Sequence, residues 1–251
     1  MSTPRKTRVD HLLVERGLVD SRQKAQALIL AGQVLAAGQK VEKCGHLVPA
    51  DAQLRILGQT PRYVSRGGIK LEGALDHFGV DPRGKVCVDI GASTGGFTDC
   101  LLQHGALRVY AVDAGTNQLD WKLRQDPRVV SMEKTNARYL EPGALGEPVD
   151  LATIDVSFIS ATLILPAVPP LLGPGAEILV LAKPQFEVGR GQVGKGGVVR
   201  DPRLHQEAVA RVAAKLEQLG FSRIDSDESV LPGANGNREF FVHAVWPQNS
   251  P

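Results

Sequence analysis

The run Asp89-Ile90-Gly91-Ala92-Ser93-Thr94-Gly95-Gly96-Phe97-Thr98-Asp99 constrains this chain more than any other. An apolar stretch, Val86 to Ile90, enters a glycine-rich turn and leaves it as an amphipathic pattern, so the segment reads as strand, tight turn and helix. That unit builds parallel α/β sheets, and its turn is where such sheets hold a nucleotide-type cofactor. A dinucleotide site needs Gly-x-Gly-x-x-Gly, whose second glycine lets the backbone close on a pyrophosphate. Counted from Gly91, that position is Ser93. A side chain there crowds a pyrophosphate and suits a smaller cofactor without one, and S-adenosylmethionine fits best. The next strand, Leu107 to Val112, ends at Asp113, where a carboxylate would accept hydrogen bonds from cofactor ribose hydroxyls.

The rest of the chain frames this unit. With 251 residues there is room for a large α/β domain and a small companion. Val9, Leu12 and Leu13 stand at helical spacing before Gly17, and Ser21 caps a second helix through Ala25, Leu28 and Ile29 to Gly32. A short β-rich segment follows, with Gln33 to Ala36, a turn at Gly38, Val41, and Gln53 to Leu57. These observations predict a small α+β module over 1–58, an interdomain linker over 59–66 and a large domain over 67–251. The large domain opens with a helix from Gly68 to Phe78. Strands are predicted at 86–90, 109–112, 129–132, 149–154 and 176–182, a long helix at 204–219, and two further strands at 221–230 and 239–246. The pattern is a doubly wound, mostly parallel sheet.

Composition excludes several classes. The three cysteines and six histidines show no paired-ligand spacing, so neither a metal site nor a disulfide framework is expected. No apolar run approaches the roughly 20 residues of a membrane helix, and no signal-peptide core is present, which predicts a cytoplasmic protein without membrane contact. The net charge of +2 does not by itself imply nucleic acid, but Arg5, Lys6 and Arg8 crowd the N-terminus against Asp10 alone.

Ligands in open α/β folds bind at the C-terminal ends of the strands. Asp89, Asp113, Asp155 and Lys183 stand there, with Lys70 on the helix before the sheet and Glu239 at the start of the last strand. Lys70, Asp155, Lys183 and Glu239, in this order, resemble the Lys-Asp-Lys-Glu tetrad of ribose 2'-O-methyltransferases of the FtsJ superfamily. Their settings, Ser-Arg-Gly-Gly-Ile-Lys around Lys70, Ile-Asp-Val-Ser-Phe around Asp155, Ala-Lys-Pro-Gln-Phe-Glu around Lys183 and Asn-Arg-Glu-Phe-Phe around Glu239, are similar to the TlyA (haemolysin A) branch. The segment from Arg8-Val9-Asp10 to Gly32-Gln33-Val34 resembles the small RNA-binding module of a ribosomal protein, with Ala37-Gly38 in place of the usual Asn-Gly.

The resemblance implies a Rossmann-like methyltransferase fold with a seven-stranded sheet, and 2'-O-methylation of cytidines in ribosomal RNA, free or in ribosomal subunits. It implies S-adenosylmethionine held by Asp89, Gly91, Ser93, Gly95, Gly96 and Phe97 around its methionine portion, Asp113 at its ribose and Asn136 near its adenine, although Asn136 equally suits a helix cap. Lys183 would be the central catalytic group. It could act as a neutral amine that takes the hydroxyl proton, or as an ammonium that orients the hydroxyl and stabilises the alkoxide, and the residues leave both roles open. RNA contacts are expected from Arg5, Lys6, Arg8, Arg22, Lys24 and Arg66, and from Arg190 and Lys195 in the glycine-rich stretch Glu187 to Arg200, read as a basic loop closing on RNA backbone. Because a stacked 2'-hydroxyl is hard to reach, the target nucleotide is expected to be extruded. A monomer is favoured. Two other classes compete: a non-catalytic RNA-binding or ribosome-assembly factor on a relic fold, against which the intact loop and tetrad argue, and a membrane-active protein in the sense of the haemolysin label, against which the absence of a lipid-binding segment argues.

Overall fold

The computed structural model describes residues 6–19, 21–58, 62–194 and 196–248, so Arg5 and Lys195 lie outside the described residues, as does the side chain of Arg190. Two compact units divide the chain, 1–62 and 63–251.

The first unit contains β1 (Lys6–Arg8), α1 (Val9–Glu15), α2 (Arg22–Leu30), β2 (Val34–Ala36), β3 (Gln39–Lys40), β4 (Leu47–Pro49) and β5 (Leu54–Ile56). Ser21 starts α2 as expected, its hydroxyl accepting the Lys24 N–H at 3.2 Å. Helices and strands close over a core of Val9, Leu12, Leu13, Ala25, Ile29, Val34 and Ile56. Strand β2 pairs antiparallel with β3 and β5, while β1 and β4 form a separate two-stranded ribbon. The β2–β3 turn puts Ala37 at φ 48° and Gly38 at φ 79°, so alanine occupies the left-handed position that asparagine tolerates better. Beneath the surface, the Asp10 carboxylate is fully buried and receives Arg8 on both oxygens, at 3.0 and 2.9 Å, with Arg22 and Gln26 on Oδ2. Arg8 first, then Gln26 and Arg22, hold this carboxyl well below the usual carboxylate range. Lys6 and Lys24 are exposed, and the side chains of Arg8 and Arg22 keep 42% and 49% of their surface.

The second unit opens with α3 (Gly67–Phe78) and then alternates strand and helix: β6 (Val86–Ile90), α4 (Gly96–Gln103), β7 (Arg108–Val112), α5 (Trp121–Arg124), β8 (Val129–Met132), β9 (Val149–Ile154), β10 (Leu172–Ala182), α6 (Pro184–Glu187), α7 (Pro202–Gln218), β11 (Ser222–Glu228) and β12 (Phe240–Val245). The sheet order is β11-β12-β10-β9-β6-β7-β8. From β10 to β8 all neighbours are parallel, and β12 runs antiparallel to both β10 and β11. This is the mostly parallel seven-stranded sheet that the sequence predicts.

Both faces of the sheet are covered, which is why its strands read as continuous apolar runs. Even-numbered residues Val88, Ile90, Tyr110, Val112, Ala152, Ile154, Ile178, Val180 and Val242 meet Val212 and Leu216 of α7 on one face. Odd-numbered residues Cys87, Val109, Leu151, Leu179, Leu181 and Phe241 meet Leu71 and Leu75 of α3 and Phe97 and Leu101 of α4 on the other. Within the span read as a linker, Tyr63 is only 2% exposed and belongs to this second core. Between β9 and β10 the chain makes three successive 3-10 turns at 161–171 rather than a helix, because Pro166, Pro169 and Pro170 withdraw the amide hydrogens a longer helix needs.

Candidate active site

Sheet topology gathers the polar residues at one edge. The parallel strands β6, β7, β9 and β10 end there, at Ile90, Val112, Ile154 and Ala182. Antiparallel β12 begins there, with Phe240 opposite Ala182, so Lys183 and Glu239 flank neighbouring strand ends.

A cleft of about 510 Å³ opens at this edge, lined by Ser65, Arg66, Gly67, Lys70, Gly91, Ala92, Ser93, Thr94, Gly96, Phe97, Asp155 and Gly233. Its size suits a cofactor-sized ligand. The glycine-rich turn forms one wall and crosses the end of β9 so closely that a Cβ on Gly91, at φ 87°, would lie 2.3 Å from the Asp155 carbonyl oxygen. Asp113 anchors the same turn, its Oδ2 accepting the Ser93 N–H at 2.8 Å and its Oδ1 the Gly115 N–H at 2.6 Å. Ser93 itself sits at φ 49°. Asp89 is sealed below the turn and accepts hydrogen bonds from Thr98 at 2.7 Å and Thr153 at 3.2 Å. Burial pushes its carboxyl up to about 7. Asn136 is exposed and outside the cleft lining, and its Oδ1 accepts the Arg138 N–H at 3.1 Å, so the cap that its position suits is formed.

The four residues singled out for chemistry form two ion pairs. The Lys70 ammonium lies 2.5 Å from Glu239 Oε2, and the Lys183 ammonium 2.5 Å from Asp155 Oδ1. Lys70 and Lys183 are each 8% exposed and Glu239 3%. Lys70 and Asp155 both line the cleft, which brings the two pairs to one place. Burying such pairs gains little stability against apolar packing of the same volume, so their presence is better explained by chemistry than by folding. Around Lys183, a second bond runs to Ser157 Oγ at 2.9 Å. Glu187, 2% exposed, accepts from the Ser160 hydroxyl at 2.5 Å and the Ala161 N–H at 2.7 Å, binding the segment after Asp155 to the helix after Lys183.

Sequence reasoning missed Ser65, Ser157 and Gly233, whose roles depend on contacts between distant segments. It also passed over Phe158, 93% exposed at φ 68°, whose ring lies 5.5 Å from that of Phe186. An aromatic residue left in water at a left-handed backbone position beside two strand ends is a strained and costly arrangement, and three residues from Asp155 that is itself a signal. Arg66, expected at RNA, lines the cleft and donates to the Pro232 carbonyl at 2.8 Å. Among the described residues no group of His, Cys, Asp and Glu converges as a metal site, and no helix is long and apolar enough to cross a membrane.

Known proteins match this arrangement along nearly the whole chain. Residues 63–246 match the family model for FtsJ-like methyltransferases, and residues 7–54 that for the S4 domain. The chain is 50% identical over 247 residues to the YqxC protein of Bacillus subtilis, covering 98% of this chain and 88% of that one. It is 48% identical over 239 residues to the 16S/23S rRNA (cytidine-2'-O)-methyltransferase TlyA of Mycobacterium tuberculosis, covering 95% and 89%. A solved structure from Streptococcus thermophilus, described under the hemolysin name, superposes with a TM-score of 0.76 at 46% identity, covering 98% of this chain and 90% of that one.

Proposed function

Since the chain belongs to the FtsJ-like methyltransferase family, in its TlyA and haemolysin A branch, we infer that it methylates the ribose 2'-hydroxyl of cytidine in ribosomal RNA. The observation that carries this reading is the convergence of the Lys70–Glu239 and Lys183–Asp155 pairs on the cleft walled by the glycine-rich turn.

S-adenosylmethionine is the methyl donor of the family, and the residues present fit it. A turn whose backbone packs too tightly at Gly91 for any Cβ, a serine where a pyrophosphate would need glycine, and a carboxylate at the end of β7 suit a compact nucleoside without phosphates. Gly91, Ser93, Gly96 and Phe97 would hold its methionine portion and Asp113 its ribose. When bound, its sulfonium supplies an already activated methyl group.

The protein has to align the ribose oxygen and manage one proton. Lys183 is ion-paired with Asp155 and donates one N–H to Ser157, which leaves an N–H for the 2'-oxygen. As the oxygen–carbon bond forms and the methyl's bond to sulfur breaks, negative charge building on the oxygen would be met by this donor, and the hydroxyl proton, which a fully protonated ammonium cannot take up, would pass to the Asp155 carboxylate. Lys70, held by Glu239 and lining the same cleft, would add a second cation there. The S4 domain presents Lys6, Arg8, Arg22 and Lys24 to RNA phosphates, with Arg8 and Arg22 pre-set by Asp10. This reading carries a cytoplasmic location and a monomeric enzyme with it.

Transfer of labelled methyl from S-adenosylmethionine to small subunits, large subunits and free ribosomal RNA tests the reading, with Lys183→Ala alongside the wild type. Label at cytidine 2'-oxygens that falls at least about a hundredfold in the variant is expected, the scale for a lost transition-state contact. Unlabelled RNA in all three, from protein that binds the cofactor, would refute it.

A further inference from the structure

The turn that precedes Glu239 is tied from behind by one side chain. Asn237 is 2% exposed. Its Oδ1 accepts the Val199 N–H at 3.0 Å, its Nδ2 donates to the Gly197 carbonyl at 2.9 Å, and its backbone carbonyl accepts the Gly233 N–H at 2.8 Å. Gly233 in turn presses on Glu239: a Cβ there would fall 1.8 Å from Oε1, while Oε2 takes the Lys70 ammonium. Three structures therefore meet at one asparagine: the glycine-rich loop at Gly197 and Val199, the turn from Gly233 to Asn237, and the buried Lys70–Glu239 pair. Asparagine suits the place chemically. It offers an acceptor and a donor on one planar amide, matched to an N–H and a C=O two residues apart.

We propose that Asn237 is a positioning residue for methyl transfer, fixing the Lys70–Glu239 pair against the loop at 197–199. This rests on the reading of Lys70, Asp155, Lys183 and Glu239 as the catalytic group. Among the described residues the loop also meets this turn where the Asn235 side chain donates to the Gly196 carbonyl at 3.5 Å, a longer contact than either made by the Asn237 amide, so losing that amide loosens Glu239 while the glycine-rich turn on β6 stays in place.

The test is a double-variant cycle in the full chain, with kcat measured at saturating cofactor and RNA, cofactor Kd measured by calorimetry, and hydrogen exchange followed through 196–199. Asn237→Ala is expected to lower kcat about tenfold or more with cofactor Kd within about twofold, and to speed exchange at Val199. Added to Glu239→Gln it is expected to cost less than about twofold further, since the pair it positions is already broken. Asn237→Ser, with a donor and an acceptor on a shorter arm, gives a milder breach with kcat between wild type and alanine, and stands in should the alanine variant not fold. A full additive loss on the Glu239→Gln background, or wild-type kcat with only a lowered Tm, overturns the proposal. If Glu239→Gln itself keeps wild-type kcat, the catalytic reading has failed and the proposal with it. An impaired Glu239→Gln beside an unimpaired Asn237→Ala marks failure of the proposal alone.

Discussion

Asp89 is an acid sealed under the turn that it helps to shape, and its position sets a pH dependence. In the unfolded chain it ionises near pH 4, whereas burial keeps the proton on the folded chain up to about 7. The support it gives to folding is therefore full below about pH 4 and is lost as pH rises through 7, on the order of 4 kcal/mol for a shift of that size. Glu177 has the opposite sign: His243 first, then Lys85, bring it down to about 2, so its support is present above the unfolded value and goes on acidification. Between pH 5 and pH 8 the Asp89 effect dominates of the two. Urea unfolding at these two pH values should show Asp89→Asn losing much less stability on the alkaline side than the wild type. Equal losses in both proteins would remove Asp89 as the source.

Among the elements, the segment from Tyr63 to Arg66 has more influence than its sequence suggests. Val64 donates its N–H to the buried Asp99 carboxylate at 2.8 Å, Tyr63 fills the core beside α3 and α4, and Ser65 and Arg66 line the cleft. A fragment of residues 63–251 should bind S-adenosylmethionine, and one of residues 67–251 should bind it at least about tenfold more weakly, because the shorter one loses a buried aromatic and part of the wall. Calorimetry on both fragments decides, and equal affinities would contradict this. The proline and charges of the stretch around Arg62 hide that packing from a sequence reading. Strands such as Val149–Ile154 were legible because a short apolar run ends in a polar residue, and α7 was legible as a long helix over 204–219, although it starts two residues earlier at Pro202, behind Asp201 whose Oδ1 accepts the Arg203 N–H at 2.9 Å. The three-residue strands β1 and β4 are too short to show a period. Asp155, Lys183 and Glu239 could be found by residue type and strand-end position, and Lys70 on the helix before the sheet by its place in the same pattern, whereas Ser157 and Asn237 act through side-chain partners tens of residues away and have no local signal.

At the scale of the whole molecule, the first unit has its own core, and the second has a large core on each face of its sheet and a small cluster of Val188, Val199 and Ala208. Heating followed by calorimetry should resolve two transitions, and S-adenosylmethionine should raise only the one belonging to 63–251, by roughly 2.7 kcal/mol of added stability at a hundredfold excess over Kd. A uniform shift of both would show that the units melt together. The second unit is also closed late. Lys70 and Glu239 meet across 169 positions, and β12 follows Glu239 directly. A nascent copy has its cofactor turn, both lysines and Asp155 long before it has its final carboxylate. A chain cut short of Glu239 would keep that turn but leave Lys70 a buried cation without its partner, so the charge pair is complete only where both ends of the unit are joined in one fold.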